Sequence, residues 1–404
     1  MGIKILGATT GSINLDVPAS VSGNIDFTLP TNTGSADQLL VTDGSGNLSF
    51  KTVNSATRNM VINGDMQVAE RSTAAVSNTN FFSSNIGYEA IDRWGHWASG
   101  QNKFTVQQVA DAPPGFYNSL KVTSLAATTL GASDGYAIAQ RIEAQDLYSA
   151  CLGTANAKNL VVSFWVKSTT TGTFSFYALG YGLGDSFAQN FTINSADTWE
   201  YKTINIPGPT SGNYFSHPSD YGLEIGFTLG AGIDWQTSTL GSWQNSFFKF
   251  SSTTATNVLG VATRTLQLTG VQLEVSDSAS KYQHESYAEN LAKCQRYFQR
   301  VKSQNNNARM AVAGNGSVSS CFPTCYLQTA MRSQPSLRYS AFSDFTNEGI
   351  AGGGIGTVTN LAFNASSTQA VTINSSASGG STAATGAQIL ANNSTGWIAF
   401  EAEL

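Results

Sequence analysis

Residues 349–400 contain no aspartate, glutamate, lysine or arginine. Serine, threonine, asparagine, glycine and alanine dominate this stretch, and short apolar clusters such as residues 371–373 interrupt them. Hydroxyl and amide side chains compete for backbone hydrogen bonds inside a helix, so they suit strands and turns better. The stretch therefore predicts short β-strands joined by turns.

The whole chain shares this character. Charged residues make up 12% of its 404 residues, about half the usual share, while hydrophobic residues remain at 41%. This balance favours an all-β protein of extracellular or virion type over a metabolic enzyme. A net charge of −5 argues against nucleic-acid binding, which requires a basic face. No run of 18 apolar residues is present, so no membrane insertion is expected.

The four cysteines are too few and too scattered for a disulfide framework or a zinc site. Cys321 and Cys325 are the one pair whose spacing allows a direct interaction. We interpret the others as ordinary thiols in a protein core.

Residues 1–57 form a distinct N-terminal segment. Residues 13–18 and 25–30 alternate apolar and polar side chains, and each copy ends at a proline that stops strand pairing. The sequence Asp-Gly-Ser-Gly at 43–46 predicts the turn of a hairpin between residues 39–42 and 47–50. This segment is too small for a core of its own, so we expect stabilisation by other chains or a docking partner.

Residues 58–288 predict a large, jelly-roll-like β-sandwich with long loops within 207–260. Alternation along 160–166 places Phe164 on one strand face, and Trp165 and Lys167 on the other. Trp94 and Trp165 are nevertheless expected to be core residues. The strand candidates are residues 103–106, 119–122, 135–139, 160–166, 173–178, 201–206, 222–229 and 265–275.

Residues 289–404 predict a short helix followed by a C-terminal β-sandwich. Leu291, Cys294 and Phe298 are spaced by three and four, which gives one narrow apolar helix face. The helix is interpreted as a hinge between domains or a contact between protomers. Residues 397–404 alternate and predict a closing strand.

Several segments in collinear order resemble the landmarks of bacteriophage tail-fibre proteins. They are residues 39–50, 61–68, 91–94, 163–168, 269–275 and 294–298. The resemblance implies a homotrimeric virion fibre with sandwich domains similar to carbohydrate-binding modules. It also implies attachment to the phage tail, or to an adaptor protein, through the N-terminal segment. The apolar residues of the two repeats, Ile13, Leu15, Ile25 and Phe27, are then the candidates for virion attachment.

Carbohydrate binding requires aromatic faces for sugar C–H groups and a few polar groups that fix orientation. Trp235 and Trp243 lie in a loop-like stretch rich in amides, where loop packing, a contact between subunits and sugar binding are all open. A second candidate surface is the C-terminal domain, where Tyr339, Phe342 and Phe345 lie among serine, aspartate and asparagine. Fibre tips usually carry the receptor site, so the resemblance favours this domain.

No enzyme activity is expected. A glycosidase needs two carboxylates about 5 to 9 Å apart, and Glu89 with Asp92 or Glu143 with Asp146 are pairs that 26 acidic residues produce by chance. No cofactor is assigned. The turn at residues 63–65 resembles a segment of sandwich modules that hold structural calcium, but an Asx-turn at Asp65 is the preferred interpretation.

The sequence thus predicts a phage tail fibre on the outside of the virion that binds a host surface polysaccharide or lipopolysaccharide. Three weak sites in a trimer, on several fibres, would raise the effective affinity without new contacts. One alternative is a structural adaptor or decoration protein that reads no receptor, with the aromatic residues buried in protein contacts. Another is a polysaccharide depolymerase with an exposed carboxylate pair.

Overall fold

Strands account for nearly all of the regular structure, which confirms the all-β prediction. The structure, a computed structural model, describes residues 3–6, 12–15, 26–34, 38–52, 59–79, 86–181, 184–246, 248–306, 308–314, 320–349, 355–378 and 386–404. Its contacts divide the chain into two units, Met1–Ala56 and Thr57–Leu404. Within the described residues no helix is long and apolar enough to cross a membrane.

The described residues of the first unit include two antiparallel strand pairs. The predicted hairpin is confirmed, and its turn is held by Asp43, whose Oδ1 accepts hydrogen bonds from the backbone N–H groups of Ser45 (2.8 Å) and Asn47 (3.1 Å). Gly44 in this turn has a φ of 83°, which glycine adopts without steric cost. The strands are β1 (Ile3–Leu6), β2 (Ser12–Leu15), β3 (Gln38–Thr42) and β4 (Leu48–Thr52).

Fourteen strands at the start of the second unit include all eight that the sequence predicts. They are β5 (Val76–Ser77), β6 (Gly95–Ala98), β7 (Phe104–Val109), β8 (Ser119–Ser124), β9 (Gly135–Glu143), β10 (Leu160–Ser168), β11 (Gly172–Gly180), β12 (Asp185–Ile193), β13 (Glu200–Ile206), β14 (Tyr221–Ala231), β15 (Gln236–Thr237), β16 (Trp243–Asn245), β17 (Ser251–Ser252) and β18 (Thr265–Val275). Single 3-10 turns or short 3-10 helices occur at Ala144–Ala150, Ile233–Trp235 and Val258–Gly260.

Twelve of these strands form a two-sheet sandwich. Sheet I has the order β13-β10-β18-β8-β7-β5, and sheet II has the order β16-β12-β11-β14-β9-β6. The inward side chains of both sheets make one apolar core, in which Phe164 lies edge-on to Phe227 with ring centroids 4.8 Å apart. Trp94 is buried in this core as expected, whereas Trp165 is not a core residue, because it lies on the outer face of sheet I.

Sheet II is buried on its outer face as well as on the inner face that forms the sandwich core. Its centre is Glu224, whose carboxylate accepts hydrogen bonds from Trp97 Nε1 (2.6 Å), Tyr177 OH (3.0 Å) and Arg141 Nε (3.0 Å). A second apolar cluster around Trp97 and Phe248 covers this face. A buried carboxylate is tolerated here because every oxygen has a donor. The aromatic and charged groups of this face are thus part of the interior.

The predicted helix is present as α1 (Tyr287–Gln295), but its buried face differs from the prediction. It ends at Gln295, so Phe298 lies in the following strand, and Asn290 and Cys294 are the buried positions. The Asn290 side chain accepts from the backbone N–H of Asn63 (3.1 Å). Helix α1 is therefore fixed to the start of the sandwich by polar contacts that an apolar pattern does not reveal.

The C-terminal part contains nine strands, β19 (Phe298–Lys302), β20 (Arg309–Gly314), β21 (Ser320–Tyr326), β22 (Ser336–Tyr339), β23 (Phe345–Gly349), β24 (Ile355–Ser366), β25 (Ala370–Ser378), β26 (Gly386–Ala391) and β27 (Trp397–Glu401). Six of them, in the order β20-β21-β25-β24-β23-β26, close into a barrel, and β19-β27-β22 form a small sheet. The sequence predicts a β-sandwich here. Closure is possible because bulges in β24, between Val358 and Asn360 and between Phe363 and Ala365, bend that long strand.

Charged side chains join the C-terminal part to the sandwich inside the second unit. Glu403 pairs with Arg71 (2.9 Å) and with Arg93, and Arg296 Nε donates to Glu143 (2.8 Å). Arg93 and Glu143 have almost no exposed surface. We call Arg71, Arg93, Glu401 and Glu403 the arginine seam.

Candidate functional site

The two loop tryptophans singled out from the sequence are half-buried and pack on different partners. Trp235 lies edge-on to Phe248, with ring centroids 5.2 Å apart. Trp243 donates from Nε1 to the carbonyl oxygen of Pro207 (2.7 Å) and lies edge-on to Tyr214 (5.8 Å). The Trp235 ring therefore contributes to the packing of the loops, whereas Trp243 begins the edge strand β16 and packs against the sandwich core.

The C-terminal aromatic residues fall into two environments. Tyr339 and Phe342 are stacked with centroids 5.2 Å apart and lie half-buried against the barrel core. Phe345 is 0% exposed and belongs to that core, so its ring has no free face for a sugar. The structure brings Tyr339 and Phe342 together but gives Phe345 a packing role.

The four candidate attachment residues lie in the first unit. Ile13 and Leu15 are in β2, opposite Ile5 and Ile3 of β1. Ile25 lies outside the described residues. Phe27 is 59% exposed, which leaves its ring available to a partner.

The carboxylate pairs considered for hydrolysis are structural where they are buried. Asp92 is fully buried and accepts a hydrogen bond from the backbone N–H of Glu70 (2.5 Å). Glu143 is likewise buried and bound by Arg296, with Tyr297 OH donating to it at 2.6 Å.

The environment of Asp65 does not resemble a calcium site. Gln67 and Asn290 donate amide hydrogens to its two oxygens, the latter at 3.0 Å. Burial raises the pKa of this carboxyl, although these hydrogen bonds oppose the rise. Within the described part of the chain no three His, Cys, Asp or Glu side chains cluster as metal ligands. Cys321 and Cys325 are both free and buried.

The outer face of sheet I carries a different group of side chains. Trp165 of β10 lies opposite Tyr201 of β13, and their ring centroids are 5.4 Å apart at an interplanar angle of 53°. Trp199 immediately precedes β13, and the Nζ of Lys167 lies 5.2 Å from its ring centroid. Together with Asp111, these four residues form what we call the outer-face platform.

Asp111 fixes the platform by binding three of its neighbours. Its carboxylate accepts from Lys167 Nζ (2.5 Å), Gln267 Nε2 (3.1 Å) and Trp199 Nε1 (3.3 Å). Burial acts to raise the pKa of Asp111, but the hydrogen bonds from Lys167 and Trp199 and the positive charges of Lys167 and Lys121 outweigh it, so its pKa is lowered. The lowered pKa favours the ionised carboxylate, which holds the Lys167 ammonium beside the Trp199 indole.

A bulge in β18 shapes the surface beside Trp165. The pairing of β10 with β18 shifts between Ser163 and Trp165, and Gly270 in this bulge has a φ of 60°. A Cβ on Gly270 would lie 2.6 Å from Phe116 and 3.2 Å from Trp165. The absence of a side chain at this position thus allows both rings to approach the strand.

The platform combines the two features that sugar recognition needs. Trp165 and Trp199 are half-buried and Tyr201 is exposed, so aromatic surface is accessible beside a carboxylate and an ammonium group. Sequence reasoning missed the site because it assigned Trp165 to the core. The signal was the alternation in β10, which places Trp165 and Lys167 on the face of the strand opposite to that of Phe164. A second signal was the spacing of two between Trp199 and Tyr201 at the start of the neighbouring strand.

A cavity of about 530 Å³ lies elsewhere in this unit. It is lined by residues that include Tyr88, Arg332, Arg338 and Glu401. Its cations are already bound: Arg332 donates to backbone oxygens including that of Ala402 (3.0 Å), and Arg338 pairs with Glu401 (3.2 Å). This cavity offers charges that neutralise one another and no exposed aromatic face.

No family model matches the sequence, and no curated protein sequence matches it. Among solved structures, the enzymatically active domain of bacteriophage CBA120 tailspike protein 4 is 15% identical, with a TM-score of 0.30, covering 54% of this chain and 21% of that one. A putative sugar-binding protein from Bacteroides thetaiotaomicron is 12% identical with a TM-score of 0.32, covering 54% of this chain and 100% of that one. A family 11 carbohydrate-binding module from Clostridium thermocellum is 14% identical with a TM-score of 0.25, covering 52% and 97%.

The matched region of this chain spans about a fifth of the tailspike domain's length. At these identities and TM-scores no ligand, activity or residue role is carried over to this chain. The chemistry of the platform has to be argued from its own side chains.

Proposed function

We propose that this chain is a glycan-binding fibre protein of a phage virion and that the outer-face platform contacts the sugar. The observation that carries the proposal is the grid of Trp165, Tyr201, Trp199 and Lys167 with the Asp111 carboxylate across it. The rings present apolar surface to sugar C–H groups, and the carboxylate and ammonium bind hydroxyls. The resemblance of the sequence to tail-fibre proteins supports the virion context.

Preorganisation supports binding at this surface. Asp111 holds the ammonium of Lys167 and the indole N–H of Trp199, so less side-chain freedom is lost when a ligand arrives. Trp165 and Tyr201 lie on paired strands rather than on a loop tip, which limits their movement further. A single site of this kind binds weakly. Three sites in a homotrimeric fibre, on several fibres per particle, would raise the effective affinity. We propose a homotrimer on the outside of the virion, docked through the first unit, without enzyme activity.

The structural adaptor remains a second candidate because the aromatic residues named from the sequence pack within the protein. Phe345 is buried, and Trp235 and Trp243 pack on loop and sandwich rings. If the protein is a structural adaptor, the outer-face platform would bind another virion protein. A binding assay with glycans separates the two functions.

The test uses full-length protein with single substitutions. A truncation near Arg300 is unsuitable, because it would remove β27 from its pairing with β19 and Glu403 from Arg93. Wild type, Trp165→Ala and Trp199→Ala should be assayed against an array of bacterial lipopolysaccharides and capsular polysaccharides. We expect the wild type to bind some of them and each variant to lose affinity about tenfold or more, as at a buried aromatic contact.

Tyr326→Ala is the matched control, since Tyr326 is an aromatic residue 82% exposed on the barrel strand β21, away from sheet I. It should bind like the wild type. Binding of no glycan by the wild type would favour the adaptor function. Glycan binding that both tryptophan variants retain would place the site elsewhere.

A further inference from the structure

One cross-strand row on the outer face of sheet I continues beyond the platform. The register of the sheet aligns Lys167 of β10 with Gln267 of β18, Gln267 with Lys121 of β8, and Lys121 with Gln107 of β7. Neighbouring strands are about 4.8 Å apart, so the four side chains form a continuous strip. Two of them are cations and two are amides.

The two lysines differ in their partners. Lys167 is paired with Asp111, so its charge is compensated. Within the described part of the chain the Lys121 ammonium has no hydrogen-bond acceptor and no ion-pair partner. Lys121 nevertheless lies close enough to Asp111 for its charge to act on that carboxyl. One carboxylate thus faces two ammonium groups.

The other carboxylates near this strip are engaged elsewhere. Glu200 pairs with Lys202 (2.7 Å) and accepts from Ser195 N–H (2.8 Å). Glu274 is buried and accepts from Ser280 N–H (2.7 Å). The strip therefore has a local excess of positive charge on a protein whose net charge is −5.

Gln267 supplies a second observation that points to a ligand. It is only 4% exposed, and its Nε2 donates to Asp111, which fixes the orientation of the amide. Its Oε1 is buried and accepts no hydrogen bond from the described residues. Buried polar atoms in proteins are nearly always paired, so an unpaired acceptor between two lysines calls for a donor. A sugar hydroxyl has that chemistry.

We infer that the outer-face platform takes an acidic glycan, with a carboxylate or phosphate substituent of the sugar bound by Lys121. This inference rests on the proposed function and names its ligand class. The ammonium of Lys121 forms a charge-assisted hydrogen bond to the anion, and the amides of Gln267 and Gln107 bind adjacent hydroxyls. Trp165, Trp199 and Tyr201 stack on the sugar rings that follow.

The test compares acidic bacterial polysaccharides with their own neutral forms. Uronic-acid polymers are used before and after carboxyl reduction, and phosphate-bearing polymers before and after removal of the phosphate. The full-length wild type should bind at least one native polymer about tenfold more tightly than its neutral form, and this preference should shrink as salt rises. The two arms show which anion is recognised.

Lys121→Gln should abolish the preference, so that it binds the native and neutral forms of the polymer with equal affinity. Lys158→Gln, at an exposed lysine outside the strip, is the control and should keep the wild-type preference. Equal binding of native and neutral polymers that still depends on Trp165 would overturn this inference and leave the proposed function standing. Binding of no polymer would overturn both.

Discussion

At the scale of the residue, the most consequential groups outside the platform are buried ionisable side chains. Asp92 is fully buried, accepts from Glu70 N–H and lies 3.7 Å from Arg71 Nε. Burial raises the pKa of its carboxyl to about 7, although the positive charge of Arg71 opposes the rise. The folded protein therefore holds this proton more tightly than the unfolded chain, whose carboxyl keeps its ordinary pKa of 3.8.

This difference predicts how stability depends on pH. Between about pH 4 and pH 7 the folded state binds more protons at Asp92 than the unfolded state, so this group's contribution to stability falls as pH rises. Asp92→Asn cannot ionise. Its free energy of unfolding relative to wild type should rise by about 2 kcal/mol between pH 5 and pH 8.

Urea unfolding at several pH values, followed by tryptophan fluorescence, measures this change. Asp277→Asn, at an exposed aspartate, is the control and should show a constant difference from wild type. If the Asp92→Asn difference were equally constant, the carboxyl would be ionised throughout the range and the assigned direction of its pKa shift would be wrong.

At the scale of the element, β18 decides the shape of the platform. The bulge around Gly270 inserts one residue opposite β10, and its φ of 60° is a conformation that side chains other than glycine rarely adopt. Phe116 occupies the space above this glycine, and Trp165 lies beside it. Strand β18 thus sets the position of the Trp165 ring on the neighbouring strand β10.

Gly270→Ala should therefore affect both stability and ligand binding. The left-handed backbone and the contact with Phe116 together should destabilise the protein by about 2 to 3 kcal/mol, and displacement of Trp165 should weaken glycan binding. Gly115→Ala is the matched control, since its φ is also positive, at 94°, but a Cβ there would meet no atom within 4 Å. Urea unfolding and the glycan array measure the two effects. Equal destabilisation by both substitutions would mean that the contact with Phe116 contributes nothing.

The same strands show what could be predicted from the sequence. Alternation was sufficient to locate β10 and β18 and to separate the faces of β10, because one face is apolar throughout. It could not show that the face with Trp165 stays outside, since a tryptophan fits a core equally well by composition. The row of Lys167, Gln267 and Lys121 depends on the register between strands that are far apart in the sequence. A slip of one residue would move a strand's side chains to the other face of the sheet.

Helix α1 and the barrel illustrate a second limit. The spacing of Leu291 and Cys294 located the helix, but its burial depends on Asn290, a polar residue whose partners come from residues 63 and 65. The low charge of residues 349–400 predicted strands correctly. Closure into a barrel depends on the bulges of β24. The sequence pattern of short polar strands does not predict where such bulges occur.

At the scale of the whole molecule, the arginine seam joins the C-terminal part to the sandwich. Glu403 binds both Arg71 and Arg93, and the Arg93 guanidinium also lies over the Tyr297 ring, 3.6 Å from its centroid. Glu401 binds Arg71 at 2.7 Å. Removing one charge from such a buried group leaves its partners unpaired, which costs more than the net contribution of the pair.

Glu403→Gln should accordingly destabilise the second unit by about 3 kcal/mol. Glu285→Gln is the comparison, because Glu285 and Lys293 form a pair whose side chains are both 24% exposed, and it should cost about 1 kcal/mol or less. Urea unfolding gives both values, and hydrogen exchange should show β19 and β27 losing protection together in Glu403→Gln. Similar costs for the two substitutions would show that the seam contributes no more than a surface pair.

Strand β27 lies between β19 and β22, and the residues that follow it enter the arginine seam. This arrangement constrains how such a gene can exchange parts with a relative. A crossover within α1 would keep β19, β22 and β27 together, but it would pair the arginines of one parent with the glutamates of another. A crossover between Ala56 and Thr57 transfers the sandwich, the barrel and the seam as one inherited block. A chimera made from this chain and a relative should be joined there.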